Sequence, residues 1–259
     1  MGFALLYVVT CVVWTVVVVV PLLLLLFGED GLASPLALAV SAVGMSGGAF
    51  AIAEVARRLQ TWSPGETWGL IRGSWGAPLW LGAALGAVFL GVVGEALGTG
   101  VWDLVSSTFG WRLPLDNLAA IAESLRTGPM VERAVFAAVV VLVGPLFEEL
   151  VFRGFLWRVM DGDAHPVGAI ITTSLIFALW HFDPIQSVGV LPLAVFLGVL
   201  RWRSGSLIPC VAVHVLNNGL AATTILAGWD EPATAPWLLV SLAAGAGAFA
   251  LIGARRGIR

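Results

Sequence analysis

Long apolar runs, broken at intervals by short polar segments, set the pattern of this chain. A membrane-crossing helix needs roughly 20 apolar residues. Eight segments approach that length: Phe3–Phe27, Ala33–Ala56, Pro78–Leu97, Ala134–Trp157, Val167–Phe182, Ile185–Leu200, Ser206–Ala227 and Ala235–Ala254. The fifth and sixth are short, which suits helices that tilt or end inside a recess where irregular backbone is tolerated. The predicted fold class is therefore all-α, a polytopic integral membrane bundle of about eight helices. The first run has no basic flank and no small-residue cleavage site, so it reads as a retained span, not a signal peptide. Between Gly98 and Val131 the apolar pattern lapses into a loop, in which Asp116 can cap a short surface helix with Leu118, Ile121, Ala122 and Leu125 on one face.

Composition strengthens this picture. Apolar residues make up 59% of the 259 and charged residues only 11%, against about a quarter charged in soluble domains. Net charge is −3, which argues against a nucleic-acid partner. Every basic residue is arginine. Arg57, Arg58, Arg72, Arg158, Arg201, Arg203, Arg255, Arg256 and Arg259 fall on one side of the eight-span pattern, while Arg112, Arg126 and Arg133 fall on the other with most of the acids. The positive-inside rule then puts both termini in the cytoplasm. Trp102, Trp111, Trp157, Trp202, Trp229 and Trp237 lie near span ends, as an aromatic belt would. Cys11 and Cys210 sit in apolar runs without metal-ligand spacing and read as core filler. No internal repeat of the transporter kind is evident.

Ionisable groups within a span are costly and usually functional. The fourth span carries Glu148, Glu149 and Arg153; the fifth ends in Phe177 and His181; the seventh carries His214, Asn217 and Asn218. Adjacent helical residues point about 100° apart, so the two glutamates face different ways. Glu149 and Arg153, four apart with the acid first, are natural ion-pair partners. Glu148 is left without a local cation and is available as a general base near neutral pH. The competing reading makes all three one buried charge network, and it is the stronger one for Glu149 and Arg153. His214 and Asn218 share a helix face and can both donate to a developing oxyanion, or can bond neighbouring helices. Asn217 points elsewhere, toward a neighbouring helix. His181 could serve only as a helix-end cap; Phe177, one turn earlier, would restrict its ring. Depth counting leaves His181 about 8 Å from the level of Glu148 and His214 at 1.5 Å per residue. Glu54 and Arg58 form an i,i+4 pair at one interface, Glu95 lies near the outer end of the third span, and His165 sits in a solvated acidic turn.

The three motifs Glu148-Glu149…Arg153, Phe177…His181 and His214…Asn218, in this order on successive helices, resemble the CPBP family. That family groups CAAX prenyl proteases of the type 2 kind with bacteriocin-processing and abortive-infection-like proteins. The resemblance spans roughly Val131 to Gly228. It divides the chain into N-terminal spans with a surface helix (1–130), a CPBP-like core (131–228) and a last span with a basic tail (229–259), all within one structural domain. It implies an intramembrane endopeptidase with a conical recess open to the cytoplasm, hydrolysing a peptide bond with an activated water. Glu148 would deprotonate the water and His181 help to position it. His214 and Asn218 would stabilise the oxyanion, with Glu149, Arg153 and Phe177 in support. No cofactor is needed for that scheme. A zinc or other divalent ion held by Glu148, His181 and His214 is the alternative, although there is no His-Glu-x-x-His and no cysteine ligand. The partners expected are the membrane and a peptide or membrane-protein substrate, lipidated or not. The lysine-free composition, rich in Ala, Gly, Val and Arg, points to a GC-rich prokaryotic cell membrane, where a leader peptide, a bacteriocin precursor or a membrane protein is the expected substrate. The alternatives are a non-catalytic immunity or scaffold protein, and a transporter with a Glu/His proton relay.

Overall fold

The computed structural model describes residues 2–70, 75–111, 122–123, 125–227 and 235–253. The described chain is helical almost throughout. α1 spans Gly2–Phe27 and α2 Pro35–Leu59. A short α3 (Pro64–Trp68) precedes α4 (Ala77–Phe109). α5 covers Met130–Val159, followed by α6 (Pro166–Leu179), α7 (Pro184–Gly189), α8 (Leu191–Ser204), α9 (Ile208–Ala227) and α10 (Ala235–Gly253). Among the described residues, six helices are long and apolar enough to cross a membrane: α1, α2, α4, α5, α9 and α10. The protein is thus an all-α integral membrane bundle. The fifth and sixth expected spans are α6 and α8, of 14 residues each. At 1.5 Å per residue each is about 21 Å long, short of a 30 Å hydrocarbon layer.

Starts and stops follow local chemistry. Ser34 precedes Pro35 and accepts a hydrogen bond from Ala37 N, which fixes the start of α2. Asp183 does the same for α7, accepting from Gln186 N at 2.8 Å ahead of Pro184. These caps satisfy backbone donors that a helix N-terminus leaves open.

Two differences from the sequence reading concern α4. It continues to Phe109, through the first part of the segment read as a loop. Hydropathy marks where the apolar layer ends, and Trp102, Asp103 and Ser106 are too polar to register there, but they are compatible with helix. Glu95 is accordingly in the middle of α4, not near its end. Trp157 also departs from the aromatic belt. It is 1% exposed, lies 5.4 Å from the Arg201 guanidinium and donates its indole N–H to Asp163 Oδ1. The surface helix expected after Asp116 lies outside the described residues except at its end, where Ala122 and Leu125 are buried.

The core forms two main clusters. One gathers α1, α2, α3, α5 and α6 around Phe152, Phe155, Leu156 and Phe177. The other gathers α4, α8, α9 and α10 around Leu90, Phe196, Leu197 and Ile252. Small residues let the backbones approach, since packing and not hydrophobic burial drives helix association in lipid. At Gly94 of α4 a side chain would strike the carbonyl of Gly189. Cys11 and Cys210 are both buried and free of disulfide bonds. The outward faces carry exposed Leu5, Leu6, Val17, Leu25, Ile171 and Leu239, a surface suited to lipid contact.

Candidate active site

α5 presents Glu148, Glu149 and Arg153, but not on a regular α-helix. Two stretches, Val139–Val143 and Leu150–Leu156, are π-helical. Such turns are concentrated at functional sites in proteins. The first leaves the Val140 carbonyl short of a donor. Gly144 N bonds Val139 O, and Pro145, next in line, has no N–H. Asn218 of α9 supplies the missing donor, Nδ2 to Val140 O at 3.0 Å.

Glu149 and Arg153 are fully buried and paired at 3.0 Å, as their spacing predicts. The second Arg153 nitrogen donates to Ala194 O at 2.8 Å, and the guanidinium lies 4.7 Å from the centroid of Phe177. His214, also buried, brings Nδ1 to the same Glu149 oxygen at 2.9 Å. A carboxylate without its proton only accepts, so Nδ1 carries the hydrogen and the ring is fixed by Glu149. That orientation aims Nε2 at Glu148 Oε2, 3.7 Å away. The other Glu148 oxygen accepts from Ser46 Oγ at 3.3 Å. The two glutamates do face different ways, yet one imidazole addresses both.

His181 stands differently from its sequence-based position. α6 ends at Leu179, so His181 lies in the turn beyond it. Its Nδ1 donates to Phe177 O at 3.0 Å, closing one of the carbonyls left open at a helix end. The ring packs edge-on against Phe177 with centroids 5.0 Å apart, and Phe177 in turn lies 5.7 Å from His214. Phe177 is thus the link between the two histidines. Asn217 Oδ1 is buried against Gly91 of α4 without a hydrogen-bond partner, so the interhelical bond expected of it is not made by that oxygen. His165 is exposed, and Glu54 bonds both Arg57 and Arg58.

Glu148 borders a small cavity. Tyr7 and Cys11 of α1, Ser46 and Ala49 of α2, Phe152 of α5 and Trp180 line it together with Glu148. Sequence reasoning missed Tyr7, Ser46 and Trp180. What sets Ser46 apart in sequence is only its place amid Gly44, Gly47 and Gly48. Among the described residues, no three His, Cys, Asp or Glu side chains are grouped so that they could hold a metal ion. The residues Glu148, His181 and His214 therefore do not fit a ready metal site in this arrangement.

Removing Asn218 tests its bond to the π turn. Asn218→Ala leaves Val140 O unpaired and should lower stability by about 1–3 kcal/mol, read as a lower unfolding midpoint in detergent. An unchanged midpoint would show that the amide is not needed there.

An apolar multi-helix bundle with buried carboxylate, imidazole and guanidinium groups beside a cavity defines a polytopic membrane protein with an intramembrane polar site. The comparison with protein families specifies it further. Residues 130–220 match the family model described as type II CAAX prenyl endopeptidase Rce1-like, so this segment is similar to CAAX-type intramembrane proteases. The match covers less than half of the chain and contains all three motifs. No curated protein and no solved structure matches the chain.

Proposed function

We propose that the protein is an intramembrane endopeptidase in which Glu148 activates water for attack on a peptide bond. One observation carries the reading: Glu148 Oε2 and His214 Nε2 face each other across 3.7 Å, beside a cavity and within the Rce1-like segment. That separation is too long for a direct hydrogen bond and suits a bridging water. With its hydrogen on Nδ1, His214 offers Nε2 as an acceptor, so the water can donate one hydrogen there and the other to Glu148. Transfer of the second to Glu148 leaves hydroxide positioned for attack. The carbonyl oxygen of the substrate then becomes an oxyanion, which needs donors. Asn218 has one amide hydrogen left after bonding Val140 O. The proton that Glu148 took from the water passes to His214 Nε2, which then donates to the oxyanion as the second donor, and it leaves on the amine as the C–N bond breaks. His181, held on Phe177 through Nδ1, keeps Nε2 available to a water or to the substrate. Glu149 and Arg153 hold His214 and do not touch the reacting atoms. The scheme routes no step through a metal ion.

The substrate proposed is a peptide or a membrane protein entering from the bilayer, with no requirement for a prenyl group. The orientation proposed has both termini in the cytoplasm of a prokaryotic cell. The test compares the termini of membrane-fraction proteins from cells expressing the wild type or Glu148→Ala at matched abundance. Termini found only with the wild type are expected, and they identify a substrate. Identical termini, with the wild-type phenotype retained by the variant, would overturn the protease reading in favour of a scaffold.

A further inference from the structure

The family match begins at residue 130, yet Glu148 touches a residue far upstream of it. Ser46 lies in the middle of α2, is 4% exposed and directs its hydroxyl across the helix interface to Glu148 Oε1. Mid-helix serines more often bond back to their own chain, as Thr15 does to Cys11 O and Thr173 to Ala169 O. The contact at 3.3 Å is long, as catalytic hydrogen bonds often are before substrate tightens them.

The register of α2 is fixed by α1. Trp14 donates its indole N–H to Gly44 O at 3.0 Å, and Tyr7 donates to Ala49 O at 2.9 Å. A side chain at Gly48 would overlap the Trp14 ring, so only glycine lets the two helices meet. These contacts bracket Ser46 on both sides along α2. One turn further along the same face Phe50 packs against Phe147 with centroids 5.3 Å apart, tying α2 to the residue just before Glu148.

We propose that Ser46 is a positioning residue for Glu148: its hydroxyl holds Oε1, so that Oε2 faces Nε2 of His214. A carboxylate has two equivalent oxygens and a freely turning end torsion. Glu148 is also partly exposed, at 18% of its side chain, so packing alone does not fix it. Ser46 removes that freedom. The N-terminal helices thereby complete the site that the Rce1-like segment begins. The inference rests on Glu148 acting as the base, and it adds a residue from outside the matched segment.

The test uses the full chain in membranes, with Ser46→Ala, Ser46→Thr and Gly47→Ala. Gly47 neighbours Ser46 with room for a methyl group, its nearest contact being Phe147 at 3.8 Å, so that variant controls for disturbance of α2. The kinetic probe is a peptide spanning a cleavage site found by the comparison of termini. Ser46→Ala should lower kcat about tenfold with KM unchanged, because positioning is lost and binding is not. Ser46→Thr keeps the hydroxyl and should stay near wild type, as should Gly47→Ala. A wild-type kcat for Ser46→Ala, or equal losses for Ala and Thr, would overturn the proposal. A second arm needs no substrate. In a structure of Ser46→Ala, Glu148 should leave its present rotamer or spread over several; an unchanged Glu148 with Oε2 still toward His214 would overturn it. If wild type and Glu148→Ala give identical termini, the protease reading fails, and this structural arm still decides what Ser46 does to Glu148.

Discussion

Glu148→Gln should abolish proteolysis, lowering turnover at least about a hundredfold and up to about ten thousandfold, the range that a general base contributes. The amide has the shape of the carboxylate, so it can still meet Ser46 and His214, and the bundle should stay folded. What it lacks is the capacity to take a proton from water. Its NH₂ group would also donate to His214 Nε2 and occupy the acceptor that orients the water. The measurement is the rate of appearance of wild-type-specific termini at matched protein level, with the unfolding midpoint measured in parallel. Turnover within threefold of wild type would remove Glu148 from the chemistry. A transporter with a proton relay makes a separate prediction, loss of ion flux in vesicles bearing Glu148→Gln, and absence of any flux in wild-type vesicles would dispose of it.

The second large effect concerns stability. Arg153→Ala should destabilise the protein by about 3–5 kcal/mol, because it strands a buried carboxylate. Glu149 is fully buried, and its Oε2 has no hydrogen-bond partner, so Arg153 neutralises it and His214 donates to it, both through the single oxygen Oε1. Loss of the guanidinium also frees Ala194 O and removes a cation from the face of Phe177. Glu149→Gln in the Arg153→Met background should recover part of the loss, since neither buried charge then remains. The check is a denaturation series in detergent on the two single variants and the double. Additive losses would show that Glu149 and Arg153 do not act as a pair. Activity should fall in the single variants even where they fold, because Glu149, which aims the His214 ring, loses either its charge or the cation that holds it.

Much of the architecture was readable from hydropathy, because lipid demands long apolar helices and leaves a plain record of them. The six long spans fall where the apolar runs fall. Residues α4 adds beyond Gly98 were not readable, since an extension past the apolar layer has no hydropathy signature. The Glu149–Arg153 pair followed from spacing alone, a local rule that holds even through a π-helical stretch. Contacts between helices did not follow. Nothing in the sequence says that His214 bridges two glutamates, or that Asn218 serves a carbonyl on α5. The expected depth mismatch of His181 treated it as helical; in the structure it belongs to a turn, so rise per residue does not apply to it. Ser46 escaped attention because a serine in a membrane helix, like Ser41 earlier in α2, is ordinary until its neighbour across the interface is known.

The π turn at Val139–Val143 has a consequence of its own. A π turn is an α-helix holding one residue more than the regular repeat. Its sequence is four valines and a leucine, in which no side chain bears any chemistry. Deleting one of those valines would barely alter composition or apolar length. It would also restore the regular repeat, and because four α-helical residues turn the chain about as far as the five of the π turn, Glu148 would still face Ser46 and His214. At this point the chain absorbs a residue without moving its chemistry: an extra valine is taken up as a wider turn, and Glu148 keeps its direction.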